Sequence, residues 1–262
     1  MIKVVVTAPR GAMDSLIVQE AFKNENIEIV GCVGRPNADY IGKDAGPVCG
    51  LGQEIGAKVY PSLESNVDGK SLIDLCDVVV DYSTIEMSRD VLIKCVAHGK
   101  ALLCGTTGFS ERELSAFAKA SEIIPLMQTA NTSYVVTVMK KLLKEAAAML
   151  EDKAGMEIIE AHSDTKLDAP SGTAIELAEE MASGMKTKGL DDITFHSLRA
   201  GNTPSSHHVV FGCQGEMFRI THDAYDWRCY AIGACDAIMY LGKRLSEGKT
   251  GSYTMFDVIE GK

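Results

Sequence analysis

The sequence predicts an α/β protein in which a doubly wound parallel sheet comes first and an α+β region follows. Two observations predict the sheet. Apolar, β-branched runs such as 2–6 and 78–80 are typical of strands buried on both faces. Each run is followed by a segment with helical periodicity, and this alternation favours parallel pairing with right-handed crossovers. From Asn131 onward the pattern changes to longer helices and alternating strands, which indicates a second architecture.

In the first half, strands and helices alternate up to Met127. The predicted strands cover 2–6, 28–33, 58–60, 78–81, 101–103 and 123–127. The predicted helices cover 13–24, 86–98 and 110–120, the last with Ser110 as N-cap and Glu113 completing a capping box. Turns at 7–13, 81–84 and 104–109 follow strand ends, which is where parallel sheets bind ligands.

The second half predicts a helix-and-antiparallel-sheet architecture. A long helix over 135–150 is followed by a strand that leads into His162 and by a helix from Ala174. Strands are predicted over 193–199, 208–213 and 216–223, with a tight turn at Gln214-Gly215. A helix is then predicted over 230–245, and the apolar run at 256–259 predicts a final short strand.

Bulk composition limits the function classes. The 262 residues carry a formal net charge of −10 with dispersed basic residues, which argues against a nucleic-acid surface. The eight cysteines form no CxxC pair, so buried thiols fit better than a zinc site or a disulfide framework. No apolar run reaches the roughly 18 residues of a membrane span, and the N-terminus lacks the pattern of a signal peptide. We therefore expect a cytoplasmic protein with no metal, nucleic-acid or membrane partner.

The most informative stretch is EIIEAHSDTKLDAPSGTA, residues 157–174. A strand pattern delivers His162 and Lys166 to a loop, and Ser171-Gly172-Thr173 then opens a helix. Free backbone N–H groups and the helix dipole favour a carboxylate or phosphate at such a terminus. Lys166 adds a full charge, and His162 carries a proton that can move near neutral pH. A surface loop with an ordinary N-cap is the alternative interpretation.

The turn after the first strand, Ala8-Pro-Arg-Gly-Ala-Met-Asp14, only partly matches the glycine-rich pattern of a dinucleotide site. Gly11 is retained, and Ala8 is tolerable there if its φ is negative. Asp14 stands near the position of a pyrophosphate, and like charges ~4 Å apart at a dielectric near 20 repel by up to about 4 kcal/mol. Depending on where Asp14 points, the penalty is negligible or roughly a thousandfold in affinity. A plain turn in an α/β domain is the alternative.

Two further turns contribute to a nucleotide hypothesis. The second predicted strand ends without the acidic residue that binds a ribose 2′-OH, and Arg35 would instead suit a 2′-phosphate. NADPH is therefore favoured over NADH if either binds. Gly105-Thr106-Thr107-Gly108 offers hydroxyls and flexible backbone to a nicotinamide carboxamide or ribose. Taken singly, these segments are equally compatible with a solvated loop and a turn.

The chain resembles the dihydrodipicolinate reductase family over nearly its whole length. The motifs that carry the resemblance are Cys104-Gly-Thr-Thr-Gly-Phe, Ala130-Asn-Thr-Ser, Glu157-Ile-Ile-Glu-Ala-His162, Lys166-Leu-Asp-Ala-Pro-Ser-Gly-Thr-Ala, Arg199-Ala-Gly201 and Gly215-Glu with Ile220-Thr-His222. The resemblance implies a Rossmann-like dinucleotide-binding domain, residues 1–129 rejoined by 241–262, and a substrate-binding and tetramerisation domain, residues 130–240. It also implies NAD(P)H-dependent reduction of a cyclic imine dicarboxylate, dihydrodipicolinate, to tetrahydrodipicolinate in lysine and diaminopimelate biosynthesis.

The resemblance also implies roles for individual residues. His162 would be the general acid that protonates the ring carbon beside the one receiving hydride, and Lys166 would neutralise a substrate carboxylate. Substrate binding is expected from Ser163, Ser171, Gly172 and Thr173. Cofactor binding is expected from Arg10, Gly11, Ala12, Met13, Arg35, Gly105, Thr106, Thr107, Ala130 and Asn131.

This sequence departs from the family pattern at several places, including Thr132 after Asn131 and a shortened segment between Met185 and Arg199, and two departures bear directly on the expected site. The first and third glycines of the nucleotide loop are replaced by Ala8 and Asp14, and Ser163 and Asp164 replace a His and a residue that is often basic. Two alternatives therefore stay open. One is a redox-neutral lyase, dehydratase or cyclase on a related cyclic amino acid that uses the same His/Lys pair without a nicotinamide cofactor. The other is a non-catalytic relative that acts in assembly or binding.

Overall fold

The structure is a computed structural model that describes residues 1–261. The chain divides into two compact units. One comprises Met1–Ser133 and the chain from Arg228 onward, and the other comprises Tyr134–Trp227. The second unit was expected to run to residue 240. The structure ends it at Trp227, because the helix that starts at Arg228 packs as a whole against the core of the first unit.

The described residues form thirteen strands and eight α-helices. The strands are β1 Ile2–Thr7, β2 Ile27–Val33, β3 Val59–Tyr60, β4 Asn66–Val67, β5 Lys70–Ser71, β6 Val78–Asp81, β7 Ala101–Cys104, β8 Pro125–Gln128, β9 Gly155–His162, β10 Ile193–Arg199, β11 Ser205–Cys213, β12 Glu216–Ala224 and β13 Gly251–Ser252. The helices are α1 Ala12–Lys23, α2 Ala45–Val48, α3 Ile85–His98, α4 Glu111–Ser121, α5 Tyr134–Leu150, α6 Gly172–Gly184, α7 Arg228–Ser246 and α8 Met255–Glu260. Short 3₁₀ helices occur at Leu72–Leu75 and Leu190–Asp192.

The first unit contains a parallel sheet of seven strands in the order β13-β8-β7-β6-β1-β2-β3. Strands β6 and β7 are buried throughout, which explains their uninterrupted apolar residues. Helices α1, α7 and α8 contribute to the core on one face, and α3 and α4 contribute to the core on the other. The doubly wound sheet is therefore confirmed. Its strand order reverses between β1 and β6, and ligands of such sheets bind at the carboxyl ends beside this point.

The second unit contains a mixed four-stranded sheet in the order β10-β9-β11-β12. The predicted antiparallel sheet is wrong in one pairing, because β9 and β10 run parallel. The chain between these two strands includes α6, and a helical crossover of this kind returns the chain in the same direction. The buried core of this unit joins α5 and α6 to the face of the sheet that carries Ile158 and Phe211.

The run at 256–259 is helical, so the predicted final strand is wrong. It belongs to α8, whose start is fixed by a capping box: the Asp257 carboxylate accepts hydrogen bonds from the Thr254 backbone N–H at 2.8 Å and from its hydroxyl at 2.7 Å. The last strand of the sheet is β13, which lies a few residues before α8 and pairs with β8. A short apolar run cannot be assigned to strand or helix by periodicity alone, and here the cap decides.

Three bulk features bear on function. All eight cysteines are free thiols. Within residues 1–261, the structure brings together no cluster of His, Cys, Asp and Glu side chains suited to a metal ion. None of the helices in the same range combines the length and the apolar character needed to cross a membrane.

Candidate active site

The turn between β1 and α1 has the backbone shape that glycine-rich loops adopt, although it contains one glycine. Ala8 has a φ of +43°, so the negative φ under which alanine would be easily tolerated here is not adopted. The Gly11 N–H donates to the Ala8 carbonyl at 2.6 Å and closes the turn. Gly11 is the N-cap of α1 and provides no side-chain cap, so the helix N-terminus has no side-chain acceptor from its cap residue. Such a terminus favours an anion.

Asp14 points into the protein. Its side chain is 1% exposed, and Oδ1 accepts a hydrogen bond from the Tyr82 backbone N–H at 3.2 Å. Oδ2 is buried and has no hydrogen-bond partner within residues 1–261; it lies 2.5 Å from where a Cβ on Gly11 would stand. Burial and, secondarily, the nearby Asp81 raise the pKa of Asp14 well above its ordinary value. The neutral carboxylic acid is therefore favoured, which weakens the like-charge objection to a pyrophosphate.

The turn after β7 is shaped by close packing against Tyr82. A Cβ added to Gly105 would stand 1.9 Å from a ring carbon of Tyr82, so only glycine fits there. Thr106 is buried, and its hydroxyl donates to the Asp81 carboxylate at 3.4 Å. Asp81 also accepts hydrogen bonds from the hydroxyls of Thr7, Ser83 and Ser88. A buried carboxylate thus ties together the carboxyl ends of β1 and β6 and the turn after β7.

Two cavities open beside these turns, and Tyr82 lines both. The larger, about 860 Å³, extends from the β1–α1 turn past the end of β2. The smaller, about 570 Å³, lies along the start of α1 and the turn after β7. The predicted cofactor residues divide between them: Arg10, Gly11 and Arg35 line the larger, and Ala12, Met13, Gly105, Thr106 and Thr107 line the smaller.

Two of the predicted cofactor residues, Ala130 and Asn131, follow β8 and line neither of these two cavities. The surroundings of these two residues and of the two arginines are as follows. Arg10 is paired with Asp39 at 3.0 Å and lies over the ring of Tyr40 at 4.5 Å. The Arg35 side chain is exposed. Ala130 is exposed, whereas Asn131 is buried and its Oδ1 accepts a hydrogen bond from the Ser133 backbone N–H at 2.8 Å.

A separate acid–base cluster lies in the second unit, at the end of β9. His162 Nδ1 contacts the Glu160 carboxylate in a short hydrogen bond, and its Nε2 lies 2.9 Å from the Ser205 hydroxyl on β11. Glu160 is completely buried. Burial lowers the pKa of His162 in spite of the hydrogen bond to Glu160, and the positive charges of Lys166 and Arg199 act in the same direction as burial. The result is a carboxylate–imidazole–hydroxyl array on adjacent strands.

Arg199, at the end of β10, neutralises Glu160. Its Nη1 and Nη2 donate to the two carboxylate oxygens at 2.9 and 2.7 Å. Burial alone would raise the pKa of Glu160, but the hydrogen bonds that it accepts, from Arg199 first and His162 among others, lower it to about 2. Lys166 lies on the following loop, where its Nζ pairs with the Asp168 carboxylate at 2.9 Å.

The loop ends at the capped N-terminus of α6. The Ser171 hydroxyl accepts a hydrogen bond from the Ala174 backbone N–H at 3.2 Å and lies 3.1 Å from His207 Nε2. Burial, with a smaller effect of the neighbouring His162 and His222, lowers the pKa of His207 to about 3. The first turn of α6 contains Gly172 and Thr173 and no acidic residue, so its dipole stays available to an anion.

Several residues of this network were not predicted as site residues. Glu160 and His162 are two apart on a strand, so they share a face, and a carboxylate on the same face as a histidine was a usable signal. Arg199, Ser205 and His207 come from strands whose register the sequence does not reveal. Ser163, a predicted substrate residue, is half-buried, and its hydroxyl pairs with that of Thr165 at 2.7 Å.

Each of the two units, taken by itself, has features that suit an oxidoreductase that uses a nucleotide. One offers a turn and cavities for a dinucleotide. The other offers a proton donor, an ammonium group and a helix N-terminus, which together fit an anionic substrate that must be protonated. These features favour reduction of an anion over the redox-neutral and the non-catalytic alternatives.

Comparison with known proteins agrees with this assignment. Sequence profiles described as dihydrodipicolinate reductase, N-terminus, and dihydrodipicolinate reductase, C-terminus, match residues 2–132 and 135–259. A 4-hydroxy-tetrahydrodipicolinate reductase of Alkalilimnicola ehrlichii is 33% identical over 273 residues, 98% of each chain. A dipicolinate-bound dihydrodipicolinate reductase from Paenisporosarcina sp. TG-14 superposes with a TM-score of 0.76 at 26% identity, covering 97% of each chain.

A more distant structure shares the fold alone. GenD2 from gentamicin A biosynthesis, solved in complex with NAD, superposes with a TM-score of 0.63 at 14% identity over 98% of this chain and 90% of that chain. The two profiles and the A. ehrlichii relative span nearly the whole chain, so the predicted family is confirmed. The chain belongs to the dihydrodipicolinate reductase family, NAD(P)H-dependent oxidoreductases of lysine and diaminopimelate biosynthesis.

Proposed function

We propose that His162 is the general acid and Lys166 the anion-binding group in the reduction of dihydrodipicolinate to tetrahydrodipicolinate. The observation that carries this proposal is the fixed imidazole: His162 is held on both nitrogens, by Glu160 and Ser205, on a strand that leads into the Lys166 loop. When bound, NAD(P)H would supply the hydride that adds to the ring carbon conjugated with the imine. The neighbouring carbon then takes one proton from His162 Nε2, so that a C=C bond becomes CH–CH and the C=N bond is retained.

The acid must be protonated when it acts. In the free protein the pKa of His162 is lowered, chiefly by burial, so the imidazolium is disfavoured. A substrate with two carboxylates brings negative charge next to the ring and favours the imidazolium. Protonation and substrate binding are therefore coupled, and the proton is best held when the anion is present.

Substrate carboxylates would be held by charge and by backbone. Lys166 Nζ pairs with Asp168, which is mostly exposed. A bound substrate carboxylate would replace Asp168 as the partner of Lys166. Gly172 and Thr173 would bind a carboxylate through the first turn of α6. Ser171 would act indirectly, because its hydroxyl is engaged by Ala174 and His207, and Ser163 would contact the ligand from the loop.

The first unit fits a nicotinamide dinucleotide. The start of α1 has no side-chain cap, the absence of a side chain on Gly11 leaves space for the Asp14 carboxylate, and Gly105 leaves the space that the Tyr82 ring fills. Gly11, Ala12 and Met13 would hold the pyrophosphate. The residues that would flank the rest of the cofactor are Arg10, Arg35, Gly105, Thr106, Thr107, Ala130 and Asn131.

NADPH is the proposed cofactor of choice. Arg35 is exposed at the end of β2 and lines the larger cavity, where a 2′-phosphate would gain a guanidinium contact. Replacing Arg35 by Ala should weaken NADPH by about tenfold and leave NADH almost unchanged, because NADH has no 2′-phosphate. Titration by nicotinamide fluorescence measures both. Equal losses for the two cofactors would contradict the assignment.

The open face of the second unit's sheet supports a homotetramer. Ile159, Leu198 and Met217 are exposed on strands β9, β10 and β12, and the buried core of this unit lies on the opposite face. Exposed apolar residues on a sheet face favour association. Replacing Ile159 by Glu should lower the mass measured by analytical ultracentrifugation; an unchanged tetramer would exclude this face. The eight free thiols support the cytoplasm as its location.

The activity is tested by following the loss of reduced nicotinamide with freshly generated substrate. Dipicolinate should inhibit competitively, because it is a planar dicarboxylate of the same outline. Lys166→Met should raise KM by about tenfold or more and lower kcat, since the substrate loses its counter-charge. Lys153→Met, at an exposed position of the same unit, serves as the control and should change neither constant. An unchanged KM in Lys166→Met would remove this residue from the site.

A further inference from the structure

We infer that Glu160 and Arg199 form a positioning pair, which fixes the nitrogen of His162 that delivers the proton and holds the loop of Lys166 against the strand ends. The inference depends on the proposed role of His162 as the acid. Neither Glu160 nor Arg199 is assigned to catalysis by the family motifs in the sequence.

The first step is the tautomer. Glu160 is completely buried and stays ionised, since two nitrogens of Arg199 hold its oxygens at 2.9 and 2.7 Å. An ionised carboxylate can only accept hydrogen bonds, so the His162 nitrogen that contacts it, Nδ1, must carry a hydrogen. Nε2 is then the atom that gains and releases the transferable proton, and it faces the Ser205 hydroxyl.

The second step is the loop. Arg199 Nη2 also donates to the Asp168 carbonyl at 2.5 Å, and the carboxylate of the same residue pairs with Lys166. A backbone hydrogen bond also joins the two strand ends: the Ala200 N–H donates to the His162 carbonyl at 3.2 Å. The Arg199 guanidinium therefore connects Glu160, near the end of β9, to Asp168, the residue whose carboxylate pairs with Lys166.

The third step is charge. The groups that face His162 are Glu160 on its own strand, Arg199 on β10, Lys166 on the loop, and Ser205 and His207 on β11. His207 lies 5.3 Å away, ring centre to ring centre, and stacks in turn on His222 of β12. The negative Glu160 favours the imidazolium, whereas Arg199 disfavours it. Removing one or the other should therefore move the titration of His162 in opposite directions, which a pair with a purely structural role would not do.

The experiment compares the pH profiles of kcat for the wild type, Glu160→Gln, Arg199→Gln and the double variant, using the full chain with NADPH and substrate. Activity that needs protonated His162 is lost as pH rises through its pKa. Glu160→Gln should move this limb about one pH unit lower and reduce kcat by about 10- to 100-fold, with KM less affected. Arg199→Gln should move the limb to higher pH. The double variant, which leaves no unpaired buried charge, should lie between them and serves if Arg199→Gln does not fold.

A second readout needs no activity. The His162 ring signals, identified by their absence in His162→Ala, are titrated by NMR in each variant, and the ¹⁵N shifts report which nitrogen carries hydrogen. The matched control is Glu157→Gln on the same strand, because Glu157 pairs with His196 at 2.9 Å in an exposed position. This control should shift neither the limb nor the His162 titration.

The outcomes separate the two claims. Folded Glu160→Gln and double variants that titrate like the wild type would overturn the inference, and so would shifts of the same sign for removal of Glu160 and of Arg199. Full activity of His162→Ala would instead overturn the proposed function. In that case opposite NMR shifts would still establish the positioning of the imidazole.

Discussion

Two turns of this protein present a helix N-terminus after a strand. They differ in whether backbone shape or side-chain chemistry defines the turn. The β1–α1 turn depends on backbone shape and free space: Ala8 adopts a positive φ, and Gly11 leaves room for Asp14. The turn from β9 to α6 depends on side chains, with His162 and Lys166 held by a network of charged and polar groups. A backbone-based site tolerates changes of residue type if the shape survives, whereas an acid–base site does not.

This difference explains why the two turns gave unequal signals in the sequence. The loss of two glycines counted against nucleotide binding, yet the turn closes with Ala8 and Asp14 in their places. The shape of the β1–α1 turn is therefore judged better from free space and backbone dihedral angles than from a glycine motif.

His162→Ala should lower kcat by about 10²–10⁴-fold, because a positioned general acid contributes that much to a proton transfer. The dissociation constant of NADPH should stay close to the wild-type value, since the change lies in the side-chain-dependent turn. Steady-state kinetics and nicotinamide fluorescence measure the two quantities. Lys153→Met, at an exposed position of the second unit, is the control. A variant that keeps full turnover would exclude His162 as the acid.

Gly105→Ala should destabilise the first unit through a steric clash alone. The added Cβ would stand 1.9 Å from the Tyr82 ring, and overpacking of this kind costs about 1–3 kcal/mol of unfolding free energy. NADPH affinity should fall as well, because the ring must move into the adjoining cavities. Urea unfolding and cofactor titration report the effects. Gly155→Ala provides the contrast, since its Cβ would meet nothing within 4 Å. Equal results for both would show that the space at Gly105 is not limiting.

Asp14→Asn should remove a pH dependence of stability. The folded-state pKa of Asp14 is raised by burial first, so its stabilising contribution is complete below the unfolded pKa of ~4 and is lost as pH rises through the folded pKa. In that window the wild type should lose up to about 1.4 kcal/mol of unfolding free energy per pH unit relative to the variant. Urea titrations over a pH series test this. Asp68→Asn, on the surface, should keep the wild-type slope.

Features that depend on local sequence could be predicted, whereas those that depend on how distant strands assemble could not. Local signals were sufficient for the parallel sheet and for the capping box of α4, in which the Ser110 N–H donates to the Glu113 carboxylate at 2.7 Å. They were insufficient where distant strands meet: Arg199 reaches Glu160 from β10, and His207 reaches Ser171 from β11. They also failed for β9 and β10, whose parallel pairing depends on the crossover through α6. Register and crossover direction are properties of the assembled sheet, which periodicity does not encode.

Ala8→Gly is the smallest and most direct test of the backbone-based turn. A non-glycine residue in the left-handed region costs roughly 1–2 kcal/mol, and glycine removes this cost while adding about 0.5–1 kcal/mol of unfolded-state entropy. The variant should therefore be equal to the wild type or up to about 1.5 kcal/mol more stable, with NADPH binding retained. Ala12→Gly, in the first turn of α1, should have the opposite sign and destabilise by somewhat less than about 1 kcal/mol. Equal destabilisation by both changes would mean that Ala8 does not adopt the left-handed conformation on which the turn depends.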